Sequence, residues 1–318
     1  MKVAVLIMSS LSEPSARNSE TMKNTFIADT IEMMNNHKFK NKYDFYFYQA
    51  DETLDEDIKK YEVSSHVYNI DIKIHETIYR TYEKTYFAFE TFKKSEYDWF
   101  IRINTSMFLN MYLIDNIIKK LDKKNIYCNA INTYTEYSCP QLINQLYPRG
   151  DLYFLSDNYR NKIINYGKSL LYNDTADKNR LVVDHVDDVL VGIAFINALG
   201  KHEYYKYLKT IHYNFLCEET FTGINKYAIG SRVKTIPPGV TYSGYSWDDN
   251  EYRLFDCTKM QTLSKLYKNN LSKLLNLYKN ITELDILVPK ENTRKTPYIT
   301  IELLPVEELK DKLNIINS

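Results

Sequence analysis

The stretch YDWFIRI at residues 97–103, closed by Asn104, Thr105 and Ser106 and continued by MFLN at 107–110, decides the fold. A near-continuous aromatic and aliphatic run predicts a strand buried on both faces, the kind a parallel sheet requires. A polar triplet directly after such a strand lies where open α/β sheets collect their ligands, at the carboxyl ends of the strands. On its own, the same triplet also reads as a plain turn.

Working outward, residues 2–9 (KVAVLIMS) and 43–48 (YDFYFY) read as further buried strands. Met22, Phe26, Ile27, Ile31 and Met34 recur at helical spacing. Tyr79, Tyr82, Tyr86, Phe89 and Phe92 do the same across a helix over 76–93. Residues 51–62 read as an acidic, mobile connection. A helix over 108–120 and a strand over 125–131 follow. Tyr147-Pro148-Arg149-Gly150 breaks the chain before a strand at 151–155, which hands over to a helix capped by Ser156. The helix over 187–199 ends at Gly200, a fitting residue just past a helix end. Strands over 227–235 and 240–245 flank Pro237-Pro238-Gly239.

Strands and helices thus alternate, which predicts an α/β fold with a mostly parallel sheet flanked by helices and a helical C-terminal extension. The expected division is a main domain over 1–255, with 256–318 packed on it as one helix and short strands at 285–288 and 298–304. The helix over 258–279 carries five Lys and no acid. Its apolar stripe favours packing on the domain, with weak membrane-surface contact as the alternative.

Composition narrows the function. The 318 residues hold 41 Lys+Arg and 41 Asp+Glu, so no global charge draws the chain to nucleic acid. No apolar run approaches the roughly 20 residues that cross a bilayer, and the short N-terminal run reads as a strand rather than a signal core. Four widely spaced Cys without a CxxC fit reduced thiols in a cytoplasmic setting. With only 8 Gly and 8 Pro, neither a P-loop nor a GxGxxG motif is present. The 29 Tyr read first as half-buried packing in a chain of biased composition, and second as carbohydrate-stacking surface.

The order of these pieces resembles the beta-1,3-galactosyltransferase and fringe family, a glycosyltransferase family 31-like pattern of GT-A (Rossmann-like) fold. There, an aromatic-rich strand runs into three acidic residues and a Phe-x-Asn segment. Here Asn104, Thr105 and Ser106 stand in the acids' place, before Phe108-Leu109-Asn110. Ser9-Ser10, Arg17, Lys23-Asn24-Thr25-Phe26 and Thr81-Tyr82-Glu83-Lys84-Thr85 are similar to the upstream motifs. Tyr147-Pro148-Arg149-Gly150-Asp151-Leu152-Tyr153 and Asp187-Asp188-Val189-Leu190-Val191-Gly192 are similar to the downstream ones. The resemblance covers about residues 2–200 and points to a divergent viral or bacterial-type member.

The resemblance implies an inverting hexosyltransferase that moves a sugar from a nucleotide-diphospho-sugar, UDP-linked, to a hydroxyl of a glycan or glycoprotein. It implies Asp188 as the base that takes the acceptor proton, with Asp187 pointing away, capping the helix or tuning the pair. The implied donor pocket holds Ser9, Arg17, Lys84, Arg102, Asn104, Thr105, Ser106, Gly150, Arg232 and Lys234. His212 and His202 fall where a metal ligand of the family would sit. A hard cation such as Mg²⁺ or Mn²⁺ wants anionic oxygens, so the Asn-Thr-Ser replacement leaves the metal open. Either the diphosphate is held by hydrogen bonds and basic side chains, or a cation is held weakly through the phosphates. Cytoplasmic placement (host cytoplasm for a viral enzyme) accompanies this reading. Two alternatives stand beside it: a catalytically degenerate member that binds glycan or nucleotide, and an unrelated α/β enzyme.

Overall fold

The computed structural model describes residues 1–9, 41–76, 80–92, 96–104, 118–128, 131–134, 144–148, 150, 152–171 and 187–209, together with single positions elsewhere. Residues 107–109, 210–213, 230–232 and 298–301 are described by backbone alone. In chain order the elements are β1 (Val3–Met8), β2 (Tyr43–Ala50), β3 (Ile58–Ser64), β4 (Val67–Ile72), α1 (Thr81–Glu90), β5 (Trp99–Asn104), β6 (Met107–Leu109), β7 (Ile126–Cys128), β8 (Ile131–Thr133), β9 (Leu146–Pro148) and β10 (Leu152–Ser156). Then come α2 (Asp157–Gly167), α3 (Asp187–Leu199), α4 (Lys201–Tyr207), β11 (Leu208–Tyr213), β12 (Gly230–Arg232) and β13 (Tyr298–Ile301).

The chain divides into two compact units, 1–105 with 123–208, and 106–122 with 209–318. The first unit holds a sheet in the order β7-β10-β5-β1-β2-β4-β3. Its heart is parallel: β5, β1, β2 and β4 run the same way, while β10 and β3 are antiparallel to their neighbours. The α/β class expected from the sequence is the class found. Each of β1 and β2 is buried at every position, as strands covered on both faces must be.

Side chains of alternate strand residues gather on one face, including Leu6, Tyr48, Ile70, Phe100, Tyr153 and Leu155. They form one core with Tyr82, Tyr86 and Phe89 of α1, Ile163 of α2, and Leu190, Val191, Ala194 and Phe195 of α3. α2 and α3 pack against each other and against α1. In the second unit, β11 pairs parallel with β13, and β12 pairs antiparallel with β6.

Several local expectations change. The second half of the stretch 51–62, read as an acidic connection, lies in the edge strand β3 (Ile58–Ser64). Its Lys59, Lys60 and Glu62 face water and break the apolar pattern that marks an inner strand. Residues 107–109 extend as a strand rather than opening a helix, because they pair with β12. The run at 125–131 splits into β7 and β8, which join different sheets. α1 is shorter than 76–93, although Phe92 beyond its end is still buried. Ser156 sits at the N-cap of α2, yet its hydroxyl donates to the Lys123 carbonyl instead of capping the helix. Among the described residues no helix is long and apolar enough to cross a membrane. The helix expected over 258–279 and the strand at 285–288 lie outside the described residues.

Candidate active site

All of the geometry below belongs to the first unit. The parallel register sets Met8 of β1 opposite both Tyr48 of β2 and Asn104 of β5, so the carboxyl ends of three strands meet at one level. Two residues back from Asn104, on the same face of the sheet, is Arg102.

Arg102 is completely buried. Its Nη2 pairs with Asp187 Oδ2, and its Nη1 donates to the Gly150 carbonyl. Its Nε donates to Tyr48 Oη at 3.1 Å, and Nη2 also lies 3.2 Å from Met8 Sδ. The Tyr153 ring sits 5.7 Å from the guanidinium carbon. Thr85 Oγ1 donates to Asp187 Oδ2 at 3.3 Å and meets Tyr48 Oη at 3.1 Å. One buried cation therefore ties β5 to the first residue of α3 and to the turn at Gly150.

The expectations for Arg102 and Asp187 are corrected here. Arg102 was expected to face the donor's diphosphate, but its fork is turned inward onto Asp187, since a buried guanidinium must have an anionic partner and acceptors. Of the three roles expected for Asp187, pointing away is not what is found, while tuning its neighbour agrees with the upward push its carboxylate gives Asp188. Asp187 is buried and completes that pair.

Asp188, the next residue, is held differently. Its Oδ2 accepts the Gly150 N–H at 3.2 Å, and its Oδ1 accepts the Val189 N–H at 2.9 Å. Burial first, and the Asp187 carboxylate second, push its pKa up to about 6, against the pull of those two N–H groups and of Arg102. A carboxylate tuned toward neutrality is what a general base needs. Gly150 is the hinge of the arrangement. A Cβ there would stand 3.2 Å from Asp188 Cβ, 3.3 Å from Asp187 Oδ1 and 3.4 Å from Arg102 Nη1. A glycine leaves the backbone free to serve Asp188 through its N–H and Arg102 through its carbonyl without crowding either.

Lys84 is buried and engaged inside the fold. Its ammonium donates to the Ser9 carbonyl at 3.2 Å and to Glu76 Oε1 at 2.6 Å. Ser9 in turn donates its hydroxyl to the Tyr48 carbonyl at 3.2 Å. Among the described residues Asn104 Oδ1 and Tyr153 Oη find no hydrogen-bond partner, although buried polar groups normally have one.

Other expected residues are not gathered here. Arg17, Thr105, Ser106 and Lys234 lie outside the described residues, and Arg232 and His212 are described by backbone alone. In the second unit Arg232 lies opposite Met107. His202 is almost fully exposed on α4, 3.7 Å from Glu203. Tyr48, Thr85 and Tyr153 were missed by the sequence reading. Tyr48 closes a recognised strand, and Thr85 sits in a quoted motif, but only strand register shows that they meet Arg102.

Among the described residues no cluster of three His, Cys, Asp or Glu side chains is placed to hold a metal. Asn104 offers one neutral amide oxygen, and both Asp188 oxygens already accept backbone N–H groups.

No family model and no curated protein matches the chain. Among solved structures it is similar to a galactosyltransferase, LgtC, determined with donor and acceptor sugar analogs. The TM-score is 0.40 at 11% identity, over 67% of this chain and 74% of that one.

Proposed function

We propose that the chain is a nucleotide-sugar-dependent glycosyltransferase of GT-A type that inverts the anomeric centre, with Asp188 as general base. The observation that carries this reading is the placement of Asp188. Its carboxylate is held by two backbone N–H groups, one of them from Gly150, whose carbonyl Arg102 of β5 also holds, and its pKa is raised to about 6. Three of the motifs that resemble the fringe-type pattern support this reading. The strand before the polar triplet supplies Arg102, the downstream turn supplies Gly150, and the helix supplies Asp187 and Asp188.

In this mechanism an acceptor hydroxyl gives its proton to Asp188 as its oxygen attacks the anomeric carbon and the bond to the nucleotide diphosphate breaks. Attack from the face opposite the leaving group inverts the centre. Arg102 and Asp187 do not touch the reacting atoms. The pair fixes the first turn of α3; the Asp187 carboxylate raises the proton affinity of Asp188, and Arg102 opposes it. Asn104, Thr105 and Ser106 serve the diphosphate as hydrogen-bond partners, and Arg17, Arg232 and Lys234 supply countercharge. Residues 1–255 form the catalytic domain and 256–318 its extension. The acceptor is a carbohydrate hydroxyl, and the setting is cytoplasmic.

The test is transfer from a panel of UDP-sugars by wild type and Asp188→Asn. The variant is expected to lose roughly 10²-fold or more in turnover while donor binding is retained, and the product anomer should be inverted. Turnover near wild type removes Asp188 from the reaction. Donor binding without transfer or hydrolysis favours the binding-protein alternative, which gains support from Arg102 and Lys84 both being engaged by internal carboxylates.

A further inference from the structure

The outer strand of the first unit's sheet is β3, which pairs with β4 along one side. Its inner residues, Lys59 to Val63, are all exposed. Four large apolar side chains stand exposed among the described residues. Two of them, Tyr61 at 39% and Val63 at 42%, lie on this strand. The free side of an edge strand offers backbone N–H and C=O groups to any strand that fits beside it.

Lysines on an edge discourage pairing in general, so the order of charges decides what this edge accepts. The strand reads Ile58-Lys59-Lys60-Tyr61-Glu62-Val63-Ser64. Lys60 and Glu62 oppose Ile70 and Tyr68 of β4, while Tyr61 opposes Asn69, so the first two share one face of the sheet and Tyr61 takes the other. Two copies that meet antiparallel about a two-fold axis normal to the sheet keep their side chains on matching faces. The axis then passes through a residue that opposes its own copy.

Few registers survive. Centring on Lys59 or Lys60 sets lysine against lysine, and centring on Glu62 sets glutamate against glutamate, both unfavourable. Centring on Val63 falls on the irregularity between Glu62 and Ser64, where β3 leaves its regular register. Centring on Tyr61 opposes Lys60 to Glu62 and Glu62 to Lys60, sets the two Tyr61 rings together, and lays Val63 beside the Lys59 stem. Every contact occurs twice by symmetry.

From this self-complementary order we infer that β3 pairs antiparallel with β3 of a second copy of this chain, with the two-fold axis at Tyr61. The contact is isologous, so it closes at two copies and covers both edges. One strand pair buries less than a standard interface, which sets a weak dimer with a Kd between about 1 µM and 1 mM. The inference does not depend on the transfer reaction.

The test is sedimentation equilibrium on the full chain, from about 5 µM to 1 mM, to span that range. Reversible dimerisation is expected. Glu62→Lys and Lys60→Glu should each raise the Kd roughly tenfold or more, because like charges then meet at two symmetric contacts. Lys60 also lies over the Tyr46 and Phe92 rings of its own subunit, 4.5 and 5.0 Å from their centroids. Melting is therefore followed in parallel, and Glu62→Lys, an exposed position, should melt as wild type. The double variant Lys60→Glu with Glu62→Lys keeps the net charge, opposes unlike charges again and should recover the dimer. A monomer throughout the range, a dimer indifferent to both single substitutions, or a double variant as weak as the single ones overturns the proposal.

Discussion

Substituting Asp188 by Asn should raise stability relative to wild type progressively as pH climbs, in a defined way. The Asp188 carboxyl titrates near 3.8 when free and at about 6 in the fold. Because the native value is raised, the folded state binds more protons between the two, so stability falls as pH rises from about 4 through about 6. The shift of about two pH units corresponds to roughly 3 kcal/mol as a ceiling, fully expressed above the native pKa. The cause is burial beside Asp187. Asn is nearly isosteric with the protonated acid, but its one carbonyl oxygen accepts only one of the two N–H groups that Asp188 takes on separate oxygens, a cost of about 1–3 kcal/mol that does not vary with pH. The variant's stability relative to wild type should therefore climb by up to ~3 kcal/mol between about pH 4 and pH 8. Urea unfolding at a series of pH values reads the difference directly. Curves that stay parallel across the range would refute the claim that this carboxylate is held charged against its environment.

Other expected outcomes follow from the same packing. Arg102→Ala should destabilise by about 3–5 kcal/mol because it strands a buried Asp187, and Arg102→Leu with Asp187→Leu should recover much of that in a double-mutant cycle of chemical unfolding. Gly150→Ala forces contacts of 3.2–3.4 Å on Asp188, Asp187 and Arg102. Transfer activity should drop by more than the change in melting temperature accounts for, as kinetics and melting on one sample will show. Gly167→Ala places a Cβ 2.0 Å from Tyr82 Oη. A loss of about 1–3 kcal/mol is expected in thermal unfolding, relieved in part by Tyr82→Phe.

The fold was legible where burial is complete. β1, β2, β5 and β10 are apolar on both faces, and a period of one needs no partner to be recognised. α3 announced its start by paired acids and its end by Gly200, whose φ is +77°. β3 and β4 escaped notice because their stability comes from pairing. Asp71 of β4 is buried only because Gln49 Nε2 donates to it at 2.6 Å, and Asn69 because it donates to Tyr61 at 2.9 Å. Within the site, Asp188 and Gly150 could be read from motif order. The Arg102–Asp187 pair could not, since its partners stand 85 residues apart and no local pattern tells whether a strand arginine turns out to a ligand or in to a carboxylate.

That inward turn bears on how a diphosphate would be held. Of the basic side chains expected around the donor, Lys84 is paired with Glu76 and Arg102 with Asp187. A cation neutralised at contact distance adds little field at a phosphate several ångströms away. The countercharge in the proposed reaction then rests on Arg17, Arg232 and Lys234. The polar triplet eases the demand on them. Three carboxylates around one divalent cation would leave a net negative charge at the strand end, whereas Asn104, Thr105 and Ser106 leave none. A diphosphate meeting the neutral triplet alone thus faces no more repulsion than one meeting an acidic triplet with its cation. It gains donors of the kind that neutral hydroxyl and amide groups supply. In the proposed reaction, the neutral triplet after β5 and the internal pairing of Arg102 and Lys84 therefore act in the same direction, keeping charge low at the strand end.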